Sequence, residues 1–170
     1  MADVVQIARA RADEVHTLSR LMQLYLHDFS EFAPFESPHG ELGHDGIFAY
    51  PHLDAYWSEP NREPLLVHIA GRLAGFVLVN DWSALGRPVD FAIAEFFVAR
   101  KYRRRGIGTE IARQVIGERP GRWEIAVLAD NWPALAFWRR AIPAVHSGPV
   151  EMIEGDGERW RGTIFRLTRS

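Results

Sequence analysis

The chain has 170 residues, of which 47% are hydrophobic and 25% charged, and its formal net charge is −2. This composition is typical of one globular domain over residues 1–170 and excludes a disordered chain. The balanced charge argues against a polyanion-binding protein, and the lack of cysteine excludes disulfides, thiolate metal sites and a cysteine nucleophile. We expect neither a secretory leader nor a membrane span, and therefore a cytoplasmic location.

The chain begins with a strand pattern and a helix pattern. Residues 4–10, VVQIARA, predict a short first strand. Apolar residues then recur at three- and four-residue steps over 15–25, which indicates an amphipathic helix with Asp13 as its cap. Over 27–64 prolines and glycines interrupt the pattern, and we expect one short helix at 51–58. So long a connection in a compact domain is usually functional or mobile.

A hairpin and a buried strand follow. Residues 65–82 predict two strands around a tight turn at 70–72, where Gly71 supplies backbone freedom. Residues 89–100, VDFAIAEFFVAR, are apolar on both faces. This pattern is typical of a central strand that helices cover on each side. A helix is predicted next, over 107–116.

The last third predicts a strand, a helix and a second hairpin. The strand covers 123–129, and Asn131 is the expected cap of the helix, with Pro133 in its first turn. Two further strands flank the sequence GDG at 155–157. The predicted order of elements is therefore βα, ββ, βα, βα, ββ.

Residues 102–110, YRRRGIGTE, join the buried strand to a helix. The first amides of a helix lack partners inside the helix, and the helix dipole places about half a positive charge there. Gly106 should adopt a conformation that a side chain resists, and Gly108 should let a phosphate approach the backbone. The three arginines would extend the positive field. A solvated surface turn is the simpler interpretation, and a nucleic-acid patch is a third, disfavoured because the run is short.

The surrounding pattern decides between these interpretations. The stretch has neither a P-loop nor a G-x-G-x-x-G pattern, since position 111 is isoleucine. It resembles instead the acetyl-CoA loop of the GNAT N-acetyltransferase superfamily, Gln/Arg-x-x-Gly-x-Gly/Ala after an apolar strand, with Arg103, Gly106 and Gly108 at the patterned positions. The stretch from Asn131 to Trp138 is similar to a second family pattern, Asn-x-x-Ala-x-x-Phe/Tyr-Tyr/Trp. Two motifs in the family's order make this resemblance specific.

The resemblance implies a fold and a set of cofactor-binding residues. The fold class would be α/β (α+β), with a mixed, largely antiparallel central sheet of six to seven strands and helices on both faces. Acetyl-CoA would be the co-substrate. The backbone of Phe96, Phe97 and Val98 would pair with the pantetheine arm. The residues expected around the pyrophosphate are Arg103, Arg104, Arg105, Gly106, Ile107, Gly108 and Thr109. Asn131, Phe137 and Trp138 complete the set, and the two aromatic side chains would pack near the thiol. For Phe137, ordinary core packing is at least as good an explanation.

Direct attack of an amine on the thioester requires a general base, because an alkylamine has a pKa of about 10.4 in water. Glu95, an acid inside an apolar strand, is the candidate, since burial raises the pKa of a carboxyl. A structural ion pair is the alternative role. Trp138 stands where many family members carry a tyrosine acid, and an indole is not a practical acid. Tyr50 and Tyr56 are therefore the candidate catalytic phenols, with buried packing as their alternative role.

The acceptor is expected to be a primary amine in a small molecule or peptide. Residues 27–63 contain eight acidic residues and one arginine, a local net charge of −7 that would favour a cationic acceptor. His39, His44 and His52 lack a metal-ligand spacing, so no metal is expected. Nucleic-acid and membrane partners are not expected, and a homodimer is left open. Because the helix tyrosine is missing, a non-catalytic acyl-CoA-binding module remains the alternative function.

Overall fold

A computed structural model describes residues 4–170 and shows a seven-stranded sheet. The strands are β1 (Val5–Arg9), β2 (Glu63–Ile69), β3 (Arg72–Asn80), β4 (Phe91–Val98), β5 (Gly121–Leu128), β6 (Val150–Glu154) and β7 (Gly162–Arg169). Their spatial order is β1-β2-β3-β4-β5-β7-β6, in which β4 and β5 are parallel and all other neighbours are antiparallel. The expected mixed, largely antiparallel sheet is confirmed, and β4 is its central strand.

Helices cover both faces of the sheet. They are α1 (Val15–Ser30), α2 (Ala55–Ser58), α3 (Ile107–Gly117) and α4 (Trp132–Val145). Successive residues of β2 point to opposite faces: Leu66 packs in one core with Leu18 of α1 and Tyr56 of α2, whereas Val67 packs in the other with Ile111 of α3. Full burial of each aliphatic side chain contributes about 1.5–3 kcal/mol. Within residues 4–170 no helix is long and apolar enough to cross a membrane.

The start of α1 differs from the prediction. Residues 12–14 form a 3₁₀ turn, and the backbone N–H of Arg11 donates to Oε2 of Glu14 at 2.8 Å. The Asp13 carboxylate pairs with the Arg11 guanidinium at 3.0 Å. The prediction that Asp13 caps the helix was therefore wrong, because this carboxylate lies inside the turn and binds the arginine instead of the first helix amides.

The long connection between α1 and β2 contains less helix than predicted. The turn between β2 and β3 agrees with the prediction. The expected helix at 51–58 is a single turn, Ala55–Ser58. The tight turn between β2 and β3 consists of Ala70 and Gly71, which have φ values of 49° and 73°. Positive φ at both central residues is what a type I′ hairpin turn requires.

Strands β4 and β5 pair over three residues and then separate. Phe91–Ile93 lie opposite Trp123–Ile125, whereas β4 continues to Val98 beside β3 alone. A bulge accompanies the separation, because Leu78 of β3 lies opposite Glu95 while Val79 lies opposite Ile93. Bulges bend a strand and re-aim its side chains. The result is a cleft between the carboxyl-terminal halves of two central strands.

We expect Gly75→Ala to destabilise the sheet at this point. A Cβ atom at position 75 would lie 2.1 Å from the carbonyl oxygen of Phe97, a backbone atom that cannot move aside. The free energy of unfolding should fall by about 2 kcal/mol or more, as for other overpacked cores. Denaturant titration measures this. Gly117→Ala is the matched control, since its Cβ meets no atom within 4 Å and alanine favours a helix; equal stability of the two variants would contradict the expectation.

Candidate active site

The cleft between β4 and β5 has a volume of about 670 Å³. One wall is the 94–96 segment of β4, and the other is the 125–128 segment of β5. Helix α4 contributes Trp138, and its cap contributes Asn131. Helices α1 and α2 contribute tyrosines from the opposite face of the sheet. Side chains from both halves of the chain therefore meet in one concave site, the usual form of a ligand pocket.

Glu95 lies in this cleft on the bulged part of β4. The hydroxyl of Tyr50 donates a hydrogen bond of 3.0 Å to its Oε1 atom, and Tyr25 also interacts with the carboxylate. Burial raises the pKa of Glu95 from 4.5 to about 7, and the hydroxyl groups of Tyr25 and Tyr50 partly oppose this shift. A carboxyl with a pKa near neutrality exchanges a proton readily at physiological pH.

The two other predicted catalytic residues, Tyr50 and Tyr56, line the same cleft as Glu95. Burial and then the charge of Glu95 raise the pKa of Tyr50 far above its ordinary value. Tyr56 is fully buried, its hydroxyl accepts a hydrogen bond of 3.2 Å from Asn80, and burial raises its pKa to about 12. Both phenols therefore keep their protons at neutral pH. Tyr25 and Asn80 were not among the predicted site residues, because nothing in their local pattern separates them from core positions.

The loop before α3 presents a row of backbone amides. Gly106 caps the helix with a φ of 74°, as expected of a residue without a side chain, and Arg104 also has a positive φ of 63°. The amides of the helix's first turn, at 107–109, have no carbonyl partner within α3. Over 104–109, no amide donates to an acceptor within the described part of the chain. The side chains of Arg104 and Arg105 are exposed.

Arg103 differs from its two neighbours because its side chain has intramolecular partners. Its Nε atom donates to the Val98 carbonyl at 2.6 Å, and its Nη2 atom donates to Asp28 of α1 at 2.6 Å. Arg100 binds the same carboxylate at 2.6 Å. Arg103 therefore connects the loop to the end of β4 and to α1, and the carboxylate of Asp28 partly neutralises its charge.

An aromatic cluster joins the loop to α4. The ring of Phe96 lies 5.5 Å from that of Phe137 and 5.1 Å from that of Trp138, whereas Phe97 points to the opposite core. A Cβ atom at Gly108 would lie 2.9 Å from the Phe137 ring. Gly108 thus has a packing role that the sequence did not reveal, and Phe137 is engaged in core packing against it.

The carboxylates of the acidic segment before β2 do not line the cleft. None of its eight carboxylates lines the cleft, whereas its one arginine, Arg62, does. Three of the acids form ion pairs, Asp28 with Arg100 and Arg103, Glu59 with Arg62, and Glu63 with Arg119. The carboxylates that line the cleft are Glu95 and Glu124. The local charge of −7 is therefore weaker support for a cationic acceptor than the sequence suggested.

Sequence and structure comparisons place these features among known proteins. Residues 18–142 match the Acetyltransferase (GNAT) family. No protein of curated function matches the chain. An acetyltransferase from Thermus thermophilus is 15% identical with a TM-score of 0.68, and the similarity covers 97% of each chain. Arabidopsis thaliana NAA60 in complex with acetyl-CoA is 12% identical with a TM-score of 0.59, covering 97% of this chain and 99% of that one. The ribosomal-protein-S18-alanine N-acetyltransferase of Escherichia coli is 12% identical with a TM-score of 0.56, covering 98% and 95%.

The raised pKa of Glu95 makes a pH-dependent contribution to stability. At low pH the carboxyl is protonated in both the folded and unfolded states, but between 4.5 and about 7 only the folded state keeps the proton, so stability falls as pH rises through this window. A glutamine side chain at this position would not ionise. The melting temperature of Glu95→Gln minus that of the parent should therefore be larger at about pH 8 than at about pH 5. Thermal unfolding at both values measures the gap, and a gap independent of pH would contradict the raised pKa.

Proposed function

Since the chain belongs to the acetyltransferase (GNAT) family, we propose that it acts as one domain that transfers the acetyl group of acetyl-CoA to a primary amine, by direct attack of the amine on the thioester. The observation that carries the proposal is Glu95, a carboxyl with a pKa of about 7 in a cleft between two separated strands. Glu124, the other carboxylate that lines the cleft, is not available to accept a proton from a substrate, because its oxygens already accept hydrogen bonds from Ser83, Ala84 and Arg166.

The loop before α3 would hold the pyrophosphate. The amides of 104–109 and the positive end of the helix dipole favour an anion, and Arg104 and Arg105 add exposed charge. Hydrogen bonds from such donors to phosphate contribute about 1.5–3 kcal/mol each. Gly108 would bring the helix backbone close to the phosphates as well as make room for Phe137.

The free edge of β4 would hold the pantetheine arm. Within residues 4–170, no strand pairs with this edge beyond Ile93. An extended amide chain could add to it as a further strand, beside Phe96 and Val98. The thioester would then lie near Trp138 and Glu95, because both line the same cleft.

Glu95 would act as the general base. The acceptor arrives largely as an ammonium ion, since alkylamines have a pKa of about 10.4 in water. The Glu95 carboxylate takes one proton from this nitrogen, and the freed lone pair forms the new bond to the acetyl carbon. The nitrogen loses its second proton to water as the tetrahedral intermediate collapses to the amide. The carbon–sulfur bond breaks, and its electron pair leaves with coenzyme A thiolate. Tyr50 would orient the carboxylate through its 3.0 Å hydrogen bond.

The leaving thiolate does not need a protein acid. A thiol has a pKa of about 8.5, so the thiolate is a fair leaving group that water can protonate afterwards. Tyr56, with a pKa of about 12, is a poor proton donor by comparison, and Tyr50 directs its proton to Glu95. The indole of Trp138 donates a hydrogen bond but is not a practical acid. The missing helix tyrosine is thus compatible with catalysis.

Glu95→Gln should lower kcat/KM by about 100-fold, the usual scale for loss of a general base. The Kd for acetyl-CoA should stay unchanged, because the amide is isosteric and lies away from the pyrophosphate site. In the parent, kcat/KM should rise with pH through about 7, the pKa of Glu95. Thiol release with an amine panel measures the rates, and Glu151→Gln, an exposed carboxylate on β6, is the matched control.

Equal activity of Glu95→Gln and the parent would contradict the role of Glu95 as general base and would indicate a structural role instead. Acetyl-CoA binding by the parent without thiol release from any amine would instead favour the non-catalytic acyl-CoA-binding module, which the absence of a helix tyrosine at Trp138 suggests.

Arg105→Glu should weaken acetyl-CoA binding by about tenfold or more, because it places negative charge beside the pyrophosphate. Arg105 is exposed, so the fold should be unaffected, whereas a side chain at Gly108 would also disturb the packing of Phe137. Calorimetric titration measures the Kd. Arg20→Glu makes the same change of net charge on α1, across the sheet from α3; similar losses in both variants would show a general charge effect.

A further inference from the structure

Two tryptophans from separate loops meet at the cleft. Trp82 lies in the loop between β3 and β4, and Trp160 lies in the loop between β6 and β7. Their ring centroids are 6.2 Å apart and their planes are inclined by 59°. Both side chains line the cleft that contains Glu95, and 46% of the surface of Trp82 remains exposed. Large aromatic surface left open inside a cleft is available to a ligand.

Hydrogen bonds hold the Trp160 ring and the Trp82 backbone in place, and Arg159 packs over the Trp82 ring. The indole N–H of Trp160 donates to the Val127 carbonyl at 3.3 Å, and the backbone N–H of Trp82 donates to the Asn80 side chain at 3.1 Å. The Arg159 guanidinium lies 5.0 Å from the Trp82 ring centroid and donates to the Ser83 carbonyl at 2.9 Å. The two loops are thereby fixed to each other and to β5, so the aromatic surface is preorganised.

A buried carboxylate fixes the loop that carries Trp82. Glu124 of β5 is 1% exposed and accepts from the Ser83 hydroxyl at 2.9 Å, the Ala84 amide at 3.0 Å and Arg166 at 2.9 Å. A buried charge with this many donors is compensated within the protein. Glu124 therefore positions the loop and leaves no acceptor for a substrate cation.

The cleft consequently has little net charge with which to bind a polycation. Arg62 is paired with Glu59 at 2.5 Å, and Glu95 is half protonated near pH 7. The part of the acceptor that does not react must therefore bind to the aromatic surface of Trp82 and Trp160, while its amino group must reach Glu95.

We propose that the acceptor is a primary amine with an aromatic body, whose ring packs on Trp82 and Trp160 while its nitrogen faces Glu95. This inference rests on the proposed acetyl transfer to an amine. Such an amine is a monocation in water. The protein would distinguish it from aliphatic amines and polyamines by the contact of its ring with the two tryptophans, and not by its charge. Aromatic rings prefer centroid separations of about 4.5–7 Å in tilted or offset geometry, which the exposed part of Trp82 permits.

The test compares tryptamine and 2-phenylethylamine with propylamine and spermidine as acceptors, with acetyl-CoA as donor and thiol release as readout. The aromatic amines should have kcat/KM values about tenfold or more above those of the other two. Trp82→Ala should raise the KM for tryptamine by about tenfold and leave the KM for acetyl-CoA unchanged, and Trp82→Phe should restore most of the loss. Trp132→Ala removes an exposed tryptophan that does not line the cleft and should change neither constant.

The outcomes separate this inference from the function it rests on. Transfer that favours spermidine or propylamine would overturn the aromatic acceptor and leave amine acetylation intact. A preference for tryptamine that Trp82→Ala does not alter would overturn the assignment of Trp82. Acetyl-CoA binding without transfer to any of the four amines would overturn both proposals.

Discussion

The separation of β4 from β5 after Ile93 is the constraint on which the site depends. Both faces of β4 are covered, by α1 and α2 on one side and by α3 and α4 on the other, so the strand stays central although it loses one neighbour. The bulge before Glu95 accompanies this loss. An unpaired strand edge is costly in a protein interior unless something binds it. A cleft with such an edge is therefore suited to an extended ligand.

The same burial that stabilises the core prepares the chemistry of Glu95. An acid among apolar strand residues and tyrosine rings loses hydration, and the pKa of its carboxyl rises to about 7. The hydroxyl of Tyr50 limits the shift by donating to the charged form. The site thus keeps a carboxyl that is ionised in part at neutral pH and is held in one orientation.

Arginine residues have two separate tasks around this site. Arg100 and Arg103 bind Asp28 and so attach α1, which carries Tyr25, to the loop before α3. Arg104 and Arg105 remain exposed beside the helix's free amides. A run of three arginines at 103–105 is therefore not a uniform positive patch. The first member maintains the relative position of α1, β4 and α3, and the other two extend outwards.

Local patterns predicted most elements and the family. Positive φ at Gly106 and the cap at Asn131, whose side chain accepts from the Ala134 amide at 3.2 Å, were predictable because each depends on a few adjacent residues. The cap at Asp13 failed because an adjacent arginine competed for its carboxylate. The net charge of the acidic segment did not show that its carboxylates lie away from the cleft, because charge along the chain does not say where each carboxylate points.

The sequence by itself determined the order of strands and helices, the glycine-capped start of α3 and the presence of an acid in the central strand. Only the tertiary structure decided that Tyr25, Tyr50 and Asn80 surround the same cleft, and that Trp82 meets Trp160 there. Backbone conformation and capping depend on neighbours within a turn or two, so sequence spacing records them. Contacts between loops 76 or more residues apart depend on sheet order and on which strands separate, and long-range packing alone sets both.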